Sequence, residues 1–463
     1  MITAIAAHTV RLHMRSGALA LTCAVLTLLL GIAAFASWRH QRQVQAERER
    51  FNATVRTQWL QQPDRHPHRV SHYGYLAFRD RSPLSFFDTG IDSYAGTAIF
   101  LEAHRQNPAN FSEAGQSAVA IRLGELTPAL VLQLIVPLLI FFLGFSSISS
   151  EREQGTWPII LAQGVSAREL MIGKTLGLMT VAALVVTPGL LACGATLQGG
   201  ASPQRIALLL GTYGGYFVVC TLLTVLVSWA RPSSRAALSS LVLLWVFAFV
   251  ILPRALQSWG AAAAPSPSRA AFDARLEADL EDAGDSHNPD DPHFAELRAR
   301  VLARHGVKRV QDLPFNYSAF VMKEAEQISS AAFERRYGEL METFEGQGRP
   351  IDIGGWINPY LAVRRISMAL SGTDLRHFSA FQRQAEAFRF SMIQKLNDIH
   401  LNEIRAQDDR MQRASRSRWS EFPEFRYQPP DLRAILAAQW PAMLSLGIWL
   451  GVLTLAVVRC SAK

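Results

Sequence analysis

Six long apolar stretches alternate with two long polar ones along this chain. The apolar runs fall at roughly 17–38, 127–148, 170–193, 206–230, 236–252 and 434–458. Most come close to the about 20 residues that an α-helix needs to cross a bilayer. The fifth is short and closes at Pro253-Arg254, so it fits with little tilt. The first follows Arg11 and Arg15 and ends Ala34-Phe35-Ala36, in the manner of a signal peptide. Its apolar core, Gly17 to Ala36, exceeds the about 7–15 residues of a signal h-region, and it is read as an uncleaved span.

This pattern divides the chain into an N-terminal segment with the first span (1–38), a first polar region (39–126), and spans two to five (127–253). A large polar region (254–433) and a sixth span with its tail (434–463) follow. A short loop, 149–169, separates spans two and three. The large region opens on Gly260-AAAAPSPS-Arg269, which has linker composition. Beyond it, Tyr317, Val321, Ala325, Ile328 and Ala332 recur by three and four, as on one helical face. Phe378, Phe381, Ala385, Phe388, Met392, Leu396 and Ile399 do the same further on. The stretch Gly346-Gln347-Gly348-Arg349-Pro350 reads as the loop between these two helices. Strand-type alternation is scarce and no internal repeat is evident. The expected fold is all-α and polytopic, with six transmembrane helices and a large helical domain.

Composition supports a bilayer: 49% of residues are hydrophobic and only 18% are charged, a low share for a soluble protein. The net charge of +8 is carried almost wholly by arginine. Those arginines interleave with carboxylates, as in AERERF and ARLEADLED, so no basic stripe points to nucleic acid. Cys23, Cys193, Cys220 and Cys460 fall in apolar runs or at the C-terminal end, so the polar regions must fold without disulfides. Positive charge in short loops orients the spans. Arg231-Pro232-Ser233-Ser234-Arg235 is short and basic, Gly194 to Arg205 has one arginine, and the tail holds Arg459 and Lys463. Both termini, 149–169 and 231–235 are therefore expected on the cytoplasmic side, with 39–126 and 254–433 outside.

The 149–169 loop carries the most specific pattern. Glu151, Arg152 and Glu153 run into Gly155-Thr156, an apolar patch Trp157 to Leu161, and a break at Gln163-Gly164. Ser166-Ala167-Arg168-Glu169 is a capping box, and Val165 with Leu170 occupies the positions of a hydrophobic staple. Span three should begin sharply at Ser166, leaving 151–163 as a surface helix whose Trp157, Ile159, Ile160 and Leu161 face lipid or a partner's groove.

Glu151, Glu153, Gly155, Thr156, Leu161, Gly164, Ser166, Leu170, Gly173 and Lys174 together resemble the first cytoplasmic loop of ABC-2 type permeases, the membrane subunits of many bacterial ABC exporters. The resemblance implies that this loop contacts a separate cytoplasmic ABC ATPase, which holds the ATP. The coupling residues it implies are Glu151, Glu153, Gly155, Thr156, Leu161, Gly164 and Ser166. It also implies a second permease copy or paralogue, a bacterial inner membrane, and a large domain on the periplasmic side. A further set, Asn358-Pro359-Tyr360-Leu361, Ser367 to Asp374, Phe381 and Ala385-Glu386, resembles the subgroup with a large extracytoplasmic insert of unassigned function. Physically, Gly372 ends one helix there and Thr373 or Asp374 caps the next.

Other candidates carry less. Gly173-Lys174-Thr175 is not a phosphate loop, because the required first glycine falls on Arg168 and no strand precedes it. The chain is therefore expected to have no ATPase site, no cofactor and no catalytic residues of its own, and Lys174 to snorkel toward headgroups. His66, His68 and His72, and His287, Asp290, Asp291 and His293, are read as solvated residues of Pro-rich loops, without a helix to preset ligand geometry. Gln133, Gln439, Pro188 and Pro441 inside spans mark either a polar path and kinks or plain helix packing. Two rival readings share the spans: a mechanotransmission subunit that moves no cargo through them, and a receptor or scaffold without any ATPase.

Overall fold

A computed structural model describes residues 1–110, 112, 126–195, 197, 200–285, 288 and 291–460. Helices α1 (Ile2–Arg15) and α2 (Ala18–Leu60) come first, broken at Gly17, whose φ of +69° suits glycine. Helix α3 (Pro67–Tyr73) and strands β1 (Tyr75–Phe78), β2 (Ala98–Glu102) and β3 (Arg105–Gln106) follow. After a π-helical turn at Val131–Ile135 come α4 (Val136–Gly144), α5 (Ser149–Glu153) and α6 (Trp157–Ala162). Then come α7 (Ala167–Ala195), α8 (Pro203–Ala230), α9 (Ser234–Val246) and α10 (Leu252–Ala263). The rest is α11 (Arg269–Ala283), α12 (Pro292–His305), α13 (Tyr317–Ile357), α14 (Pro359–Ser371), α15 (Leu375–Glu403) and α16 (Leu432–Cys460).

Six helical runs are long and apolar enough to cross a membrane: Ala18–Leu60, Pro128–Glu153, Ala167–Ala195, Pro203–Ala230, Ser234–Ala263 and Leu432–Arg459. The chain is a multi-pass helical membrane protein, as the apolar pattern predicts. One small departure is the antiparallel sheet β1-β2-β3. Its strands, YLAF and AIFLE among them, are too short to print an alternating signature.

The two polar regions are not separate bodies. Trp59, Tyr75, Ile99 and Leu101 from the first share one core with Phe381, Ile393, Leu396, Trp419 and Phe425 from the second. The Trp59 indole donates to the Trp419 carbonyl at 2.9 Å. Helix α2 carries this core, running unbroken from its apolar half to Trp59.

The expected loop at 346–350 does not form. Helix α13 continues through Pro350 to Ile357. Packing explains this: Gly260 of α10 lies so close that an added Cβ would meet the Gln347 carbonyl at 2.1 Å, and a Cβ on Gly354 would meet Leu256 at 2.3 Å. The break falls instead at Asn358, whose side chain caps α14 by accepting from the Tyr360 amide at 3.1 Å. Gly372 closes α14 at φ +78°, and Asp374, not Thr373, caps α15 through the His377 amide at 3.1 Å.

The α13–α14 turn also sits where the hydropathy pattern gives no hint of it. Asn358 donates to the Ala248 carbonyl at 2.6 Å, while Ser445 and Trp449 of α16 donate to the carbonyls of Gly355 and Trp356. Ser445 and Trp449 lie 13 and 17 residues along α16, about 20–25 Å from its start at 1.5 Å per residue. The turn therefore reaches halfway down the apolar helices, and Leu361, Ala362, Val363, Ile366 and Leu370 join their core.

Helix α1 docks on α7 through two glycines one turn apart. A Cβ on Gly173 would meet the Ile5 Cβ at 2.6 Å, and one on Gly177 the Thr9 Cβ at 2.6 Å. Small residues four apart allow this close approach. Gly177→Val should displace α1 and cost about 1–3 kcal/mol of overpacking. Thermal unfolding in detergent and new protease cleavage near Gly17 read it out; an unchanged midpoint with α1 still protected would contradict the docking.

Candidate functional site

The 149–169 loop folds as two short helices joined by glycine turns, where the sequence pattern predicts one amphipathic helix. Gly155 at φ +70° and Gly164 at φ +82° reverse the chain in the left-handed region, which side chains with a Cβ rarely adopt. Ser166 then starts α7 as expected: its hydroxyl accepts from the Glu169 amide at 3.2 Å, and the Glu169 carboxylate accepts from the Ser166 amide at 3.1 Å.

The inner side of the loop is clamped to the spans at three points. Lys174 of α7 is buried and donates to the Glu151 carboxylate at 2.8 Å, and the Thr156 hydroxyl donates to the same carboxylate at 2.6 Å. Lys174 therefore does not snorkel; a carboxylate one loop away in sequence gives it a buried partner. The Arg152 guanidinium lies 4.7 Å from the Trp229 ring centre and 5.4 Å from that of Trp157, and also donates to the Trp229 carbonyl. Trp157 thus turns inward, against the expectation that it faces outward. The Ser228 hydroxyl accepts from the amides of Ile148 and Ser149 at 3.0 and 3.1 Å.

The predicted coupling residues consequently split into two sets. Glu151 and Thr156 face inward and hold the loop together. Glu153, Gly155, Leu161, Gly164 and Ser166 are exposed, and Ile159 beside them is 57% exposed. Glu153 accepts from the Ser234 hydroxyl. Arg152, Trp229 and Ser228 do structural work that the sequence reading missed. The available signal was Lys174 itself, since a lone cation inside an apolar run needs a nearby partner.

At the far end of the spans lies a buried polar network. Gln133, in the π-helical turn, donates to the Tyr213 hydroxyl at 2.8 Å and, more loosely, to Asp88 at 3.5 Å. Ser367 bonds both Tyr213, at 2.9 Å, and Asp88. Burial raises the Asp88 carboxyl above its ordinary range. Gln133 therefore packs and bonds across helices, uniting the first polar region, two spans and α14. Gln439 is buried too, and Pro188 and Pro441 lie inside α7 and α16. Beside the network, a cavity of about 590 Å³ opens between α10 and α14, lined by Arg254, Arg364, Arg365, Tyr360 and Phe249 among others.

The histidines depart furthest from expectation. His68 and His72 do not lie in a loop; they stand one turn apart on α3, which Pro67 opens and His66 caps. His66 also lies by His400 and Asp409, with His400 Nε2 at 2.7 Å from the Asp409 carboxylate. In the other group, Asp291 caps α12 and His293 is exposed, while His287 and Asp290 lie outside the described residues.

Residues 269–428 match the family described as Domain of unknown function (DUF3526). The match covers α11 to α15 and includes the turn that reaches between the spans. Among curated proteins, none matches the chain.

Proposed function

We propose that this chain is the membrane-spanning permease subunit of an ABC transporter, an exporter driven by a separate cytoplasmic ATPase acting on 149–169. The observation that carries this reading is the two-sided construction of the loop. One side is bonded to α7 through Lys174 and to α8 through Trp229 and Ser228. The other offers Glu153, Leu161 and Ser166 to solvent. A push on the exposed side is delivered to the spans as a rigid-body displacement, the kind of motion that alternating access requires. The arginine-lined cavity between α10 and α14 gives an anionic or amphiphilic cargo a place to bind, within the size range of small-molecule sites. A second permease copy or paralogue completes the path, in a bacterial inner membrane with the large domain on the periplasmic side.

One observation favours mechanotransmission as a second reading. Helix α2 has 43 residues, about 65 Å at 1.5 Å each, about twice the thickness of a bilayer core. It links the first span to the core of the large domain as one rod and can carry motion outward without any cargo crossing.

Topology tests both readings at once. In a background lacking the four native cysteines, Ser166→Cys and Ser268→Cys should label with an impermeant thiol reagent from opposite faces, Ser268→Cys from outside. Labelling of both from one face would overturn the proposal.

A further inference from the structure

We propose that His68, His72 and His104, all of the first polar region, form a binding site for a divalent transition-metal ion where that region packs on the large domain. Each offers a ring nitrogen, and the three nitrogens lie within 4.8 Å of one another. His68 Nε2 and His72 Nε2 are 3.3 Å apart. Two imidazoles on a tetrahedral Zn²⁺ at about 2.0–2.1 Å have their nitrogens about 3.3–3.4 Å apart, so this pair already has the edge of such a site. The i, i+4 spacing on α3 fixes that edge in the backbone.

His104 arrives from a different element. It occupies the two-residue turn between β2 and β3, at φ +62°, where glycine or asparagine is preferred. The buried carboxylate of Glu326 holds it there, accepting from the His104 amide at 3.0 Å and lying 3.6 Å from its ring Nδ1. Glu326 is itself fixed by Arg389. A carboxylate behind a ligand imidazole orients the ring and raises its basicity, as in metal sites generally.

An all-imidazole set suits zinc, copper, nickel or iron rather than magnesium or calcium. His72 is exposed, so water or a solute can take the fourth position. The site is independent of the permease reading, since it requires neither ATPase nor cargo.

The test uses the full chain in detergent, purified without a polyhistidine tag, stripped of metal and titrated with Zn²⁺ against a chromophoric chelator. One ion per chain is expected. His72→Ala, which alters an exposed side chain, should weaken binding at least about tenfold, while His293→Ala leaves it unchanged. Co²⁺ should give the intense visible bands of a four-coordinate ion, lost in His72→Ala. No stoichiometric ion, or binding that His72→Ala leaves intact, would overturn the site and show the 3.3 Å contact to be only a hydrogen bond between two rings.

Discussion

Replacing Arg389 by methionine should lower the stability of the large domain by about 3–5 kcal/mol, the cost of stranding one partner of a buried ion pair. Arg389 is 1% exposed and Glu326 is fully buried. The guanidinium bonds Glu386 through two nitrogens, at 2.7 and 2.8 Å, and also reaches Glu326 and the Glu102 carbonyl at 3.1 Å. This cluster joins α13, α15 and the sheet, so its loss is felt by both polar regions together. Thermal unfolding in detergent measures the effect. The double variant Glu326→Gln with Arg389→Met removes both charges and should recover a large part of the loss. A single variant as stable as the parent would show that the pair contributes little.

Charge reversal in the 149–169 loop should have the largest effect on activity, and the geometry separates two causes. Glu151→Lys places a second cation against buried Lys174 and disrupts the loop itself. Glu153→Lys changes an exposed carboxylate that accepts from the Ser234 hydroxyl at the exposed start of α9. It should leave insertion and thermal stability as in the parent. Like charges brought together at an interface cost several kcal/mol, which is more than tenfold in affinity. The Glu153→Lys chain should therefore insert normally yet lose its ATPase partner, or more than tenfold of the ATP-driven activity. Full retention and activity would reduce the loop to a structural corner.

What could be read from the sequence follows the range of the interactions involved. The spans, the Ser166 capping box, the helical face from Phe378 to Ile399 and the Gly372–Asp374 punctuation are local patterns, and each lies where its residues indicate. Features set by contacts between distant segments were not legible. Pro350 normally ends a helix, yet α13 continues because α10 packs against it through Gly260 and Leu256. The stretch around Asn358 carries Asp352, Pro359, Arg364 and Arg365, which lower its hydropathy. Asp352 and Arg365 pair at 2.6 Å, and so the turn can sit among apolar helices. Lys174 and Glu151 are 23 residues apart, beyond the reach of any periodicity argument. Pro63 and Pro67 made the first histidine group look like loop, whereas Pro67 is a helix-opening residue. The third imidazole, His104, comes from a hairpin that the pattern did not reveal.

A photo-crosslink from the exposed side of 149–169 tests the proposed contact with a nucleotide-driven partner. A benzophenone amino acid at Leu161, whose exposed side chain takes no part in the clamps to α7 and α8, is activated in native membranes and the adduct is identified by mass spectrometry. An adduct with a cytoplasmic protein that carries a phosphate-binding loop is expected, and its loss with Glu153→Lys. Adducts with lipid alone, or with a partner that binds no nucleotide, would contradict it.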